Sequence, residues 1–252
     1  MKKFKNIYII GTGKVAKECQ KIASGFFKQE VISIKNIENL DDFFKNLKNC
    51  FIISANNFYI FKKECIQNNT IINYHNALLP FHRGCNAHIW SIWENDKKAG
   101  ITWHMVEENI DTGEILIQKE IKLDDNFTAL NLLNTQHNLA IASFKEAIEN
   151  LENKALKAQI SKKRYHKKLA LPNEGYLDLT WDKEKISRFL RAMDCGALSE
   201  IPKARLKILG EEKEILLYEI NELDLILNLS DNTLLKITKE SKCKKSNNFS
   251  SI

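Results

Sequence analysis

The chain has 252 residues, 44% of them apolar and 28% charged, and 38 Lys and Arg against 32 Asp and Glu leave a formal charge of +6. That balance suits a globular protein with a core of its own and excludes a disordered chain, and no apolar run reaches the length of a membrane helix. Six cysteines stand apart with no Cys-x-x-Cys pair, and the opening MKKFKNIYII is expected not to be a secretory leader, so no disulfide framework is suggested and a reducing, cytoplasmic setting is expected.

Short apolar runs then alternate with helical stretches: NIYII, VAKECQKIASGFF, VISI, NLDDFFKNL, CFIISA, FYIFKKECI and TIINYH. This βαβαβαβ order is the sign of a parallel sheet with crossover helices. After the loop LLPFHRG, NAHIWSIWEND has helical spacing, and ITWHMVEE and EILIQKEIKL read as two strands. One long amphipathic helix is expected from Thr128 to about Leu151, with Asn126 or Thr128 as its cap. Beyond it, Leu171 to Gly175 marks a turn, TWDKEKISRFLRAMD a helix, and ARLKIL, EILLYEI and LLKIT three short strands.

The expected fold is therefore α/β, with a Rossmann-like, mostly parallel sheet in a domain over 1–169 and a smaller C-terminal β-rich, OB-like subdomain over 170–238. Residues 239–252 carry four lysines and one glutamate, half of the net charge, and read as a solvated basic tail. The basic stretch Ser161 to Lys168 reads as a solubilising link between the two domains.

The opening IYIIGTGKVAKECQKIA has the outline of a dinucleotide fingerprint, with Gly11 and Gly13 in the turn. Such a site also needs an acid at the tip of the second strand, where this chain has Lys35 and Asn36, and its third glycine is replaced by Ala16. The two glycines are read as a tight strand-to-helix turn whose backbone lines a substrate pocket. A nicotinamide-dependent oxidoreductase is kept as an alternative.

The stronger signal is NYHNALLPFHRG, Asn73 to Gly84, followed by NIDTGEIL, Asn109 to Leu116. Residues two apart on a strand point to one side, so Asn73 and His75 present an amide and an imidazole together at the carboxyl end of a strand, where ligands bind in open α/β sheets. Asp111, in a polar turn, can hold the imidazole in one tautomer and balance its charge, while the amide donates to an oxyanion. With no serine or cysteine at a nucleophile elbow, direct attack of an amine or water on a carbonyl is favoured over a covalent intermediate. His82, His88 and His104 are the next candidates. His82-x-x-Cys85-x-x-His88 lacks a fourth ligand at a metal spacing, and no metal is expected.

Asn-x-His followed by Leu-Leu-Pro-x-x-Arg-Gly and later by Asp-Thr-Gly resembles the folate-dependent formyltransferase family, which includes glycinamide ribonucleotide transformylase, methionyl-tRNA formyltransferase and the nucleotide-sugar N-formyltransferases. The match is good from about Ile52 to Gln118. The resemblance implies the formyltransferase fold, Asn73, His75 and Asp111 as the catalytic trio, and 10-formyltetrahydrofolate as formyl donor. It places the pterin against Asn57, Phe58, Tyr59 and Ile60 and against Glu108, Asn109 and Ile110.

Arg83-Gly84-Cys85-Asn86-Ala87 and the Trp90-bearing helix that follows resemble the sugar N-formyltransferases, as does TWDKEKISRFLRAMD, a segment shared with the tRNA branch. The implied substrate is a TDP- or UDP-linked amino-deoxyhexose for surface glycans, bound by Gly11, Gly13, Arg83, Gly84, Asn86 and Trp90. Arg83 is read equally as a phosphate contact or a support of the site, and Trp90 and Trp93 also fit a packing face. A homodimer is the family expectation, with no membrane or nucleic-acid partner. Methionyl-tRNA formylation, supported by the basic 161–168 segment, stays the main alternative, followed by hydrolysis of formyltetrahydrofolate.

Overall fold

The computed structural model describes residues 3–159, 165–197, 199–222 and 224–238. Residues 161–164 of the basic segment, and the whole expected tail at 239–252, lie outside the described residues. The first sheet has the order β2-β1-β3-β4-β6-β7. Its strands β1 (Ile7–Gly11), β2 (Val31–Ser33), β3 (Phe51–Ala55) and β4 (Thr70–His75) run parallel, while β6 (Lys98–Met105) and β7 (Ile115–Lys122) add an antiparallel edge.

Strands buried on both faces read as continuous apolar runs, and β3 is buried at all five positions. Ile7, Ile9 and Ile53 face α1 (Gly13–Phe27) and α5 (Ala129–Glu152), whereas Tyr8, Ile10 and Ile52 face α2 (Leu40–Lys45) and α3 (Lys63–Asn68). The long helix starts as expected at Thr128, which forms a capping box with Asn131. Phe144 of α5 is fully buried against Trp103, ring centroids 4.7 Å apart. Phe144→Ala should cost about 3–5 kcal/mol by leaving a cavity there, read as a lower midpoint in urea with an unchanged slope.

Gly11 has a packing reason for being glycine. It lies in register with Ala55 of β3, at φ 148°, and a Cβ there would run into the Ala55 carbonyl oxygen. The expected helix in FYIFKKECI covers only its second half, since 57–62 has no regular secondary structure and α3 begins at Lys63.

The C-terminal part begins with a turn at Pro172–Gly175 and α6 (Lys183–Met193), capped by Asp182. Among the described residues its strands, β9 (Arg205–Ile208), β10 (Glu211–Ile220), β11 (Asp224–Leu229) and β12 (Leu234–Thr238), form one antiparallel sheet in the order β12-β11-β10-β9. Only three were legible in the sequence: DLILNL mixes Asp and Asn with leucines, and its alternation gains meaning only when β10 and β12 flank it. One face of α6 packs Phe189 and Leu190 on this sheet, while Ala192 meets Ile89 and Ile92 of α4 (Ala87–Trp93). Arg191 reinforces the junction, donating to the Phe127 carbonyl at 3.0 Å and to Asp125 at 3.1 Å.

Candidate active site

Strand pairing brings the polar residues together. Asn73 and His75 end β4, and across the antiparallel pair His104 lies opposite Asn73 and Thr102 opposite His75, so all four share one face. The β6/β7 register slips at His104, since Trp103 pairs with Ile117 but His104 with Ile115, a bulge of the kind that re-aims side chains beside active sites. Asp111 arrives on the loop between these strands with φ 55°, and Gln159 bonds the carbonyls of Asp111 and Gly113 at 3.2 and 2.7 Å.

The hydrogen bonds determine which atoms donate. Asn57 Nδ2 donates to Ser54 Oγ at 3.2 Å, so the Ser54 hydroxyl donates onward to Asn73 Oδ1 at 2.7 Å. The Asn73 amide is thereby oriented with its N–H donors toward His104 Nε2, at 3.2 Å. The Met105 carbonyl, 2.8 Å from His104 Nδ1, requires a proton on that nitrogen and leaves Nε2 to accept. Likewise the His82 carbonyl, 2.9 Å from His75 Nε2, requires Nε2–H, and the His75 lone pair sits on Nδ1, 3.6 Å from Asp111 Oδ2.

Asp111 also lies 3.4 Å from His104 Nε2 and accepts from the Gly84 N–H at 2.7 Å. Burial pushes its carboxyl upward, but the attraction to the His75 imidazole once that ring takes a proton, the neighbouring His104 and the Gly84 N–H outweigh this and hold it well below the usual carboxylate range. Burial lowers the pKa of His75, opposed in part by the Asp111 carboxylate. A neutral imidazole beside an ionised carboxylate is the arrangement a general base needs.

Ser54 had no signal of its own in the sequence, because its partnership with Asn73 exists only once β3 and β4 are in register. Ser54→Ala should leave the fold intact and lower kcat about tenfold at constant KM, the scale of one lost orienting hydrogen bond, in a steady-state assay.

The trio lines a cavity of about 440 Å³, within the range of small-molecule sites. The expected 57–60 and 108–110 segments both line it. There Phe58 and Ile60 are exposed, while the Tyr59 ring packs on Phe44 at 4.9 Å and its hydroxyl donates to Asp41 at 2.6 Å. Glu108 pairs with Lys63 at 3.0 Å.

Gly84 and Asn86 also line the cavity, and Asn86 Nδ2 holds the Lys168 carbonyl at 3.0 Å. Gly11, Gly13, Arg83 and Trp90 lie outside its wall: Gly11 abuts β3, Gly13 opens α1, Arg83 pairs in a short ladder with Tyr165, and Trp90 stacks on His166. Leu130 and Leu133 of α5 and Ile201 and Pro202 of the C-terminal part add apolar lining beside the polar Ser199 and Glu200, none of which the sequence singled out. His88 Nδ1 lies 3.0 Å from Asn76 Nδ2.

A mostly parallel α/β sheet with an amide, a neutral imidazole and a buried carboxylate converging at the end of its fourth strand defines a domain equipped for acyl-group transfer. Residues 12–148, more than half of the chain, match the family described as formyl transferase, and the chain belongs to that family. It is 35% identical over 141 residues to the GDP-perosamine N-formyltransferase of Brucella melitensis, covering 56% of this chain and 53% of that protein, so it spans about half the length of that relative. It is 28% identical over 215 residues to the methionyl-tRNA formyltransferase of Ehrlichia ruminantium, covering 84% of this chain and 67% of that one. Its fold is shared by the N-formyltransferase from Helicobacter canadensis, solved in complex with folinic acid and dTDP-3-aminofucose, with a TM-score of 0.70 at 18% identity over 93% of this chain and 99% of that one.

Proposed function

We propose that this protein transfers the formyl group of 10-formyltetrahydrofolate to the amine of a nucleotide-linked amino-deoxyhexose. The observation that carries the reading is the Asn73, His75 and Asp111 set lining the cavity in a member of the formyl transferase family. The apolar Phe58, Ile60 and Val106 beside it suit the flat pterin of the donor. Similarity to a GDP-perosamine enzyme extends the nucleotide carriers considered to GDP, beside TDP and UDP. Such a reaction serves surface glycan assembly from the cytoplasm, and no helix among the described residues is long and apolar enough to cross a membrane.

The folate supplies a formyl carbon bonded to nitrogen, on which the neutral sugar amine makes its attack. Asn73 Nδ2 donates to the formyl oxygen as negative charge develops there. His75 Nδ1 takes the amine proton, and Asp111 balances the imidazolium. The new amide C–N bond forms, the bond to the folate nitrogen breaks, and the proton held by His75 goes to that nitrogen, so tetrahydrofolate leaves neutral at that position.

Mass spectrometry after incubation with 10-formyltetrahydrofolate and GDP-, TDP- and UDP-aminosugars tests this. One added formyl group on an aminosugar is expected. Formylation of methionyl-tRNA alone, the reading favoured by the long Ehrlichia match, would overturn it. So would release of free formate with no acceptor.

A further inference from the structure

One short turn holds both His75 and Asp111. The His82 carbonyl accepts from His75 Nε2, and two residues on the Gly84 N–H donates to Asp111. His82 has φ 49°, a left-handed conformation that is unfavourable for a residue with a Cβ and persists only where surroundings impose it.

Its own buried imidazole supplies that constraint. His82 Nε2 lies 2.7 Å from Asp96 Oδ2 and Nδ1 lies 3.1 Å from His166 Nε2. The carboxylate only accepts, so Nε2 carries the proton and Nδ1 accepts from the His166 Nε2–H. The two rings lie within 21° of parallel, and His166 in turn stacks on Trp90 at 4.3 Å and 11°.

The backbone reinforces the same docking. Tyr165–His166 (β8) pairs with Arg83–Gly84 (β5), and the Cys85 N–H donates to the His166 carbonyl at 2.9 Å. Gly84, at φ 90°, has no room for a side chain, since a Cβ would run into that carbonyl. Asp96 is set just beyond α4 by its N–H bond to the Ser91 carbonyl at 3.0 Å.

We propose that Asp96, His82 and His166 form a positioning relay that sets the tautomer of the catalytic base. By pinning the 82–84 turn from behind, the relay keeps a carbonyl on His75 Nε2 and therefore the lone pair on Nδ1, beside Asp111. Glu94 offers a third ligand atom within 4.8 Å of those of His82 and His166, but the two ring nitrogens share an N–H···N bond and face each other rather than converging on an ion. The inference rests on His75 being the base of the formyl transfer proposed above.

Protein labelled with ¹⁵N-histidine gives each ring's tautomer from its imidazole nitrogen shifts, with His75 assigned by its loss in His75→Gln. Wild type should show His75 in the Nε2–H form. His166→Gln and Asp96→Asn should populate both tautomers and lower kcat about ten- to a hundredfold with KM within about twofold, the effect of a slightly misplaced base. Asp96 is partly exposed, so Asp96→Asn serves if His166→Gln does not fold. A single unchanged His75 tautomer in the folded variants would overturn the relay. The tautomer is read without substrate, so wild type that shows no formyl transfer while the variants still disturb His75 would uphold the relay and refute the function.

Discussion

His75→Gln is expected to abolish most formyl transfer, lowering kcat by about 10² to 10⁴, the range for a lost general base. The substitution isolates the proton transfer. A glutamine amide can still donate to the His82 carbonyl, now met by His75 Nε2, but it offers no basic nitrogen at the position of Nδ1. Asn73 stays in place through Ser54, so the oxyanion donor survives and the residual rate measures it. Wild type carries a second signature of the same residue. Burial lowers the pKa of His75, so the imidazole is neutral at neutral pH and kcat/KM should fall only when pH drops below the ordinary histidine value of about 6.5. An acid limb centred above that value, or undiminished turnover by His75→Gln, would remove His75 from the reaction.

Asp111→Asn should cost activity on a similar scale, about 10² to 10⁴, because one carboxylate serves two imidazoles and the Gly84 N–H. Its sign can be checked twice. In wild type the Asp111 carboxylate opposes the lowering of the His75 pKa by burial; without it that pKa falls further, and the acid limb of the residual activity moves to lower pH. Stability moves with pH as well. The folded pKa of Asp111 is depressed, so its stabilisation is fully present above the unfolded value of about 3.9 and is lost as pH falls toward the folded one. The gap between wild type and Asp111→Asn in chemical denaturation should therefore be widest near neutrality and close below about pH 4. A gap independent of pH would mean that the charge of Asp111 is not what holds the site.

Much of this site was legible from local pattern. Asn73 and His75 two apart at the end of an apolar run predict one shared face, and the strand period delivers it. Asp111 in a turn before Thr112 and Gly113 was legible as a loop residue, and its left-handed φ agrees. Gly11 and Gly13 looked like a nucleotide turn, yet Gly11 is required by its approach to Ala55, a contact between residues distant in sequence. His104 was one candidate among several until β6 placed it opposite Asn73, and the bulge that re-aims it depends on how β7 pairs.

The sequence by itself determined the alternation of strands and helices, a capped start of the long helix at Asn126 or Thr128, and the pairing of amide and imidazole on one strand face. These follow from periods of two and 3.6 residues and from side chains reaching their own backbone, interactions that span a few positions. Only the tertiary structure decided that Ser54 orients Asn73, that His104 and Asp111 meet, and that His166 docks behind the turn of His82. Those contacts join residues from different strands and loops, and strand register and segment docking are set by the burial of the whole sheet rather than by any stretch of chain read alone.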